Sequence, residues 1–442
     1  MYRPNRITRL AVLAVAGSFA VSACGSSDSD SSSGGSSDEG SSAEKKGTQI
    51  YFVDGNTADY SSDFDPGTLQ GVKATYPGAE LGDSFRERML GIDKNLKDFT
   101  YGPESYDATI VTALAAIAAD NDSGKAIAGE MSNVSGEGEK CTEFKQCADL
   151  LADGTDIDYD GVSGPLDLNS TGSPSAATIG IFEYGEDNNY ENLDYVTGEI
   201  PDEADVKANQ KVSGGAGQGD GTLTVGTLLP ATGDLAFLGP PEFAGVGLAV
   251  QEINQGGGVL GKDVKQVKAD SGDGSPNIAP SETDKLLRGG ADAIIGAASS
   301  SVSLSVIDKI TGAGVVQVSP ANTSTAFDTY ADKGLYFRTA PSDVLQGQVM
   351  AQTLSADGYQ NVAILARQDS YGEALADNVE KFFTESGGKI VAKTLYDANA
   401  ANYTAEVEEL KGQDPDAIVL IAFDETKKIV PELIKAGIGQ NG

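Results

Sequence analysis

The sequence predicts an α/β protein of two lobes, each a doubly wound, mainly parallel sheet with helices on both faces. Three observations predict it. Short apolar runs alternate with helix-forming segments from residue 222 to residue 442, a pattern that builds parallel sheets. The alternation comes as two successive series, which calls for two lobes with a cleft between them and ligands at the carboxyl ends of the strands. Third, residues 293–305, AIIGAASSSVSLS, pass abruptly from a buried strand into three serines. A helix from residue 302 would carry Ser299, Ser300 and Ser301 in its first turn. Unpaired N–H groups and hydroxyls would then point above the sheet, where the helix dipole favours an anion. Taken alone, three serines at a helix start serve equally well as caps.

Composition narrows the function. The 442 residues, 39% hydrophobic, suffice for two lobes with proper cores. A formal net charge of −35 repels phosphate backbones, so nucleic acid is not an expected partner. There is no histidine, which removes Ser-His-Asp, Cys-His and histidine-ligated metal mechanisms. No enzyme, cofactor or metal is expected.

The amino end reads as an export signal. Arg3, Arg6 and Arg9 precede an apolar run at 10–21, and small residues lead into Cys24. Residues 25–46 are Ser, Gly, Asp and Glu with almost nothing to bury, as in a flexible tether. Export permits a disulfide between Cys141 and Cys147. On one straight helix their Cα atoms would stand about 9 Å apart, too far to bridge, so the chain must bend there.

Beyond the tether the expected elements are strand 49–53, strand 71–75, helices 84–93, 106–120, 125–134 and 143–152, and strands 165–168 and 177–184. Residues 201–221 fall back to charge and glycine, a second linker. The first regular series is strand 223–229, helix 241–254, strand 264–269, helix 280–288, strand 291–295, helix 302–312 and strand 315–318. The second is helix 345–356, strand 362–366, helix 372–386, strand 390–394, helix 404–411, strand 417–422 and helix 426–436. That series stops after a helix, where another strand is due, while the folded part opens with a strand that no helix precedes. Placing strand 49–53 beside strand 417–422 resolves both defects, and we read the chain as circularly permuted.

Several stretches carry a family resemblance. LTVGTLLPATGDLAFLGPPEFAGVGLAVQEIN, GGGVLGKDV, IIGAASSS, VSPANTS and QDSYGEALA resemble the amino-terminal two-thirds of the leucine/isoleucine/valine-binding protein family, solute-binding proteins of ABC importers. Residues 49–201, with YDA at 106–108 and DIDYDGVSGPLDL at 156–168, resemble its remaining third. The resemblance implies the periplasmic-binding-protein fold with a hinge between lobes. One lobe would hold 78–174 and 222–340, and the other 48–77, 175–200 and 341–442, with 201–221 joining the ancestral ends. It also implies a lipoprotein signal at 1–23, lipidation of Cys24, a tether at 24–47, and anchorage to the outer face of the bacterial cytoplasmic membrane. The implied partners are a small zwitterionic ligand, an ABC permease and its ATPase.

An amino acid presents a carboxylate, an ammonium and a side chain. By the resemblance, Ser299 takes the carboxylate together with groups of Ala321 and Thr323. The ammonium goes to the Ala321 carbonyl, Thr323 and Asp54, although DGN at 54–56 also suits a plain turn. Tyr371, Phe423, Tyr106, and Phe237 or Leu238 would wall the side-chain pocket, unless these apolar residues are simply core. Three other motifs lead nowhere. GGGVLGKD at 256–263 has Asp263 where a phosphate loop needs Ser or Thr, and it follows a helix. Asp156, Asp158, Asp160, Gly161 and Asp167 imitate a calcium loop without its final Glu, and Pro165 lies inside. Ser163 has no histidine partner. The expected function is capture of a branched-chain or related amino acid for import, with ligand sensing by the same fold as the alternative.

Overall fold

The computed structural model describes residues 47–200, 217–272 and 278–440. The expected signal segment, Cys24 and the tether up to residue 46 lie outside the described residues. Two sheets organise the rest. The larger has seven strands, in spatial order Lys389–Tyr396, Asn361–Arg367, Ala417–Ile421, Gln49–Val53, Lys73–Pro77, Ala176–Tyr184 and Tyr190–Glu199. The smaller has five: Tyr336–Arg338, Val316–Ser319, Ala293–Gly296, Thr224–Leu229 and Lys265–Asp270. All its pairs are parallel, as are those of the larger sheet up to Lys73–Pro77; the last two strands run antiparallel.

Gln49–Val53 lies parallel beside Ala417–Ile421, in register from Gln49 with Ala417 to Phe52 with Leu420. The strand order therefore fills the place that the alternation leaves open after the last helix. Burial explains why these strands read as unbroken apolar runs rather than alternating ones. Tyr51, Val53, Ile364, Val419 and Ile421 enter the core on one face, while Ile50, Phe52, Leu365, Ile418 and Leu420 enter the core on the other.

The chain passes between the two sheets through residues 77–83, 168–176 and 338–343. The Gly102–Ala118 helix begins four residues before its expected start. Pro103 sits in its first turn, where a missing N–H costs nothing. This helix packs on Gly239–Gln255, and the approach is close enough that a Cβ on Gly245 would stand 2.2 Å from the Gly102 carbonyl oxygen. Glycine is required there.

Four strands escape the sequence reading. Glu139–Cys141 and Tyr336–Arg338 have only three residues each, and Tyr190–Glu199 is an edge strand with mostly exposed residues. Ile157–Gly161 does alternate, with Ile157 and Tyr159 fully buried, but its polar positions are aspartates, which are depleted in strands. Cys141 and Cys147 are bonded, with Cα atoms 5.5 Å apart. The first lies in a short strand and the second in the Phe144–Ala152 helix, so the chain bends between them. Asp158 and Asp160, from the calcium-like stretch, both meet Lys140. Among the described residues no helix is long and apolar enough to cross a membrane.

Candidate functional site

One wall of the cleft comes from the five-stranded sheet. After Ala293–Gly296 the chain turns into the Ser300–Gly312 helix with Ser299 as its N-cap, and the Ser299 hydroxyl accepts from the Val302 N–H at 3.5 Å. The carbonyls of this turn are tied down from the next strand. Gln317 donates to the Gly296 oxygen at 2.9 Å, Ser319 to the Ala297 oxygen at 2.8 Å and Asn322 to the Ala298 oxygen at 2.7 Å. The loop carrying Ala321 and Thr323 is held in turn by Arg338, which is fully buried. Its guanidinium donates to the carbonyls of Asn322 and Ser324, at 3.2 and 2.9 Å, and pairs with Asp328. The turn before the helix is thus held from behind, and a helix start is where the dipole favours an anion.

The facing wall comes from the seven-stranded sheet. Just past Gln49–Val53, Asp54 occupies the left-handed region with φ 47°, a conformation that costs a non-glycine residue and persists where surrounding contacts enforce it. Asn56 does the turn-forming work. Its side chain accepts from Val53 N–H at 2.9 Å and donates to the Leu420 carbonyl at 3.0 Å. The Asp54 carboxylate is thereby left to Tyr101, whose hydroxyl donates to it. Burial pushes the Asp54 carboxyl up to about 7, against the pull of that hydrogen bond. Tyr371 donates to the Val53 carbonyl at 3.2 Å and stacks on Phe423, with ring centroids 5.2 Å apart. On the other side of Phe423 lies the Arg367 guanidinium, 3.6 Å from the ring centre.

The walls meet. Ser301 and Ser370 share a hydrogen bond of 3.0 Å, and Ser324 donates to the Ser370 carbonyl at 2.7 Å. Leu238, Ala321, Tyr371 and Phe423 fall in one buried cluster, against which Phe237 packs half-buried. Ser299, Thr323 and Asp54 are buried too.

Tyr106 is not among them. The expected pocket residue is turned into the core behind the five-stranded sheet, where its hydroxyl donates to Glu252 at 2.6 Å and accepts from Arg88 at 3.0 Å. Its neighbour Asp107 anchors another loop, accepting from Tyr159 at 2.7 Å and from the Ser163 N–H at 2.7 Å. The YDA stretch thus serves packing, and the aromatic at the cleft is Tyr101, one residue before the helix begins. Tyr101 also has a left-handed backbone, φ 57°, and its N–H donates to the Tyr76 hydroxyl at 2.8 Å. Three acids also escape the sequence reading: Glu104, Glu242 and Asp343, all buried at helix starts. Burial pushes Glu104 up to about 8 and raises Glu242 and Asp343 well above the usual carboxylate range. Only the fold shows that they converge.

Known proteins share part of this chain. Residues 222–442 match the periplasmic binding protein family. A chemotactic signal transduction system substrate-binding protein of Halobacterium salinarum, BasB, is 30% identical over 225 residues, covering 48% of this chain and 53% of that protein. A leucine-, isoleucine-, valine-, threonine-, and alanine-binding protein of Pseudomonas aeruginosa is 28% identical over 192 residues, covering 43% and 51%. Among solved structures is LivJ from Streptococcus pneumoniae, the branched-chain amino acid transporter substrate binding protein, in complex with isoleucine. It is 28% identical with a TM-score of 0.44, covering 50% of this chain and 62% of that one. The chain spans about half the length of the relatives it matches.

Proposed function

Because this chain belongs to the periplasmic binding protein family, we propose that it captures a branched-chain or related amino acid between its two walls and delivers it to an ABC permease. The observation that carries this reading is the contact of the two walls through Ser301 and Ser324 with Ser370, beside the buried Ser299, Asp54 and Tyr371. Ser299, the start of its helix and the Ala321–Thr323 loop take the carboxylate. Asp54 takes the ammonium, with Thr323 beside it. Tyr371, Phe423, Leu238 and Phe237 enclose the side chain. Neither wall supplies all the contacts, so closure of one on the other is the binding step.

The same reading puts residues 78–174 and 222–340 in one lobe and 48–77, 175–200 and 341–442 in the other. Circular permutation accounts for the seat of Gln49–Val53 beside Ala417–Ile421 and for matches that stop at about half of each relative. Lipidation at Cys24 would hold the protein at the outer face of the membrane. A sensing role is the second reading, favoured by the likeness to a binding protein of a chemotactic system.

Calorimetry tests the site. Ser299→Ala and Asp54→Ala should each weaken binding of the preferred amino acid by about tenfold or more, with circular dichroism unchanged. Unaltered affinity in both variants would remove the cleft from the reading.

A further inference from the structure

The cleft holds more buried acid than one amino group needs. Asp54, Glu104, Glu242 and Asp343 come from four separate elements and are 6, 4, 0 and 0% exposed. The fold links them. The starts of Gly102–Ala118 and Gly239–Gln255 touch at Gly102 and Gly245, which brings Glu104 toward Glu242. Tyr101 ties the first of these helices to Asp54, and Thr339 donates to the Glu104 carbonyl at 2.9 Å. The Asp343 N–H donates to the Thr323 carbonyl at 2.7 Å. The charge of Glu104 raises Glu242 further, and the charge of Asp54 raises both Asp343 and Glu104 further. Burial of all four, the Tyr101 hydrogen bond to Asp54 and the glycine contact between the two helices place these acids in one region.

Among the described residues no basic side chain pairs with them. Both oxygens of Glu242 and one of Glu104 lack any hydrogen-bond partner, and so do both ends of the buried Gln346 amide, one turn beyond Asp343. Arg338 acts on Asp343 but is bound to Asp328, Ser173 and two carbonyls. Arg86 and Lys97 share a cavity wall of about 350 Å³ with Glu104, yet both are exposed. All three helical acids stand in the first turn, where the helix dipole favours a carboxylate, yet neither oxygen of Glu242 has a hydrogen-bond partner there. Buried ionised carboxylates need a counter-charge, or they stay protonated.

We propose that the cleft is built for a ligand with two cationic groups on a short aliphatic chain, one held by Asp54 and Asp343 beside Thr323 and the other by Glu104 and Glu242. This rests on the amino-acid-binding reading of the cleft and narrows it from neutral to basic ligands.

Calorimetry of the full chain with L-lysine, L-ornithine, putrescine, cadaverine and L-leucine tests it. Basic amino acids should bind at least about tenfold tighter than leucine, as charge-assisted hydrogen bonds to buried carboxylates require. Equal binding of the diamines would support the proposal and make the ligand carboxylate dispensable. Diamines failing while lysine binds would support it with Ser299 as the third anchor. In Glu104→Gln and Glu242→Gln the ratio of lysine to leucine affinity should collapse, while an unchanged ratio in both overturns the assignment. Tight binding of leucine alone overturns the proposal and leaves the amino-acid reading standing. No binding by any of the five overturns both.

Discussion

The two walls of the cleft differ in what they hold fixed: backbone carbonyls on one, a buried carboxyl on the other. On the serine wall every turn carbonyl from Gly296 to Ala298 has a donor from the neighbouring strand or loop, and Arg338 anchors the next loop. On the facing wall Asp54 has the Tyr101 hydroxyl as its donor, while the buried side chain of Gln346 has no partner at either end. A matched wall is stiff in itself, whereas an unmatched one stores unfavourable free energy that a cation releases. The proposed function draws on that difference, taking shape from one wall and charge from the buried carboxyls.

The largest break in this comparison comes from the serine wall's anchor. Arg338→Met leaves Asp328 buried without its partner and should destabilise the protein by about 3–5 kcal/mol in urea titration. A loss below about 1 kcal/mol would mean that the loop holds itself without Arg338.

The set of buried acids drawn from both walls should respond to pH instead. Its carboxyls have folded pKa values above their unfolded ones, about 7 for Asp54 and about 8 for Glu104, with Glu242 and Asp343 also raised. Their contribution to stability is therefore complete below pH 4 or so and is lost as pH rises through about 7 to 8. The groups facing them are Tyr76, Tyr101, Tyr371, Asp107 and Arg338. The tyrosines stay neutral across this window. Melting without ligand should drop by several degrees between pH 5 and pH 9, by the size of shift expected for one or two kcal/mol in a large domain. Asp292 and Asp332, both pushed to about 7 by burial elsewhere, fall in the same window. The share of the cleft is read as the part of the slope that a Glu104→Gln, Glu242→Gln double variant removes, and an unaltered slope would move the effect out of the cleft.

The smallest effect sharpens the contrast. The Ser299 hydroxyl makes only a long cap bond, so Ser299→Ala should cost under about 1 kcal/mol of stability while still weakening ligand binding. A greater stability loss, with affinity unchanged, would make it a cap after all.

The alternation of strands and helices was legible in the sequence because buried parallel strands must be apolar on both faces. The place of Gln49–Val53 was legible as a defect in that alternation. Tyr190–Glu199 and Ile157–Gly161 were not, since an exposed edge strand carries no apolar signature and two aspartates mask the short alternation of Ile157 and Tyr159. At the cleft, Ser299, Asp54, Tyr371 and Phe423 were readable because each stands just past a strand end. Tyr106 misled for a physical reason: an aromatic on a helix faces whichever side the helix packs, and the register of Gly102–Ala118 turns it toward Glu252. Glu104 and Glu242 lie more than a hundred residues apart and approach through a glycine contact between helices, which no local pattern announces.

The central place of Gln49–Val53 also bears on how the protein comes to be folded. Its neighbour on one side is Lys73–Pro77, made soon after it, and on the other Ala417–Ile421, made some hundreds of residues later. Until that second neighbour emerges, an apolar strand from the middle of the sheet stands with an open edge, the arrangement most exposed to mispairing. Contacts so distant in sequence close slowly. This strand therefore stays unpaired on one side through most of synthesis, and the sheet closes only when the last third of the chain has been made.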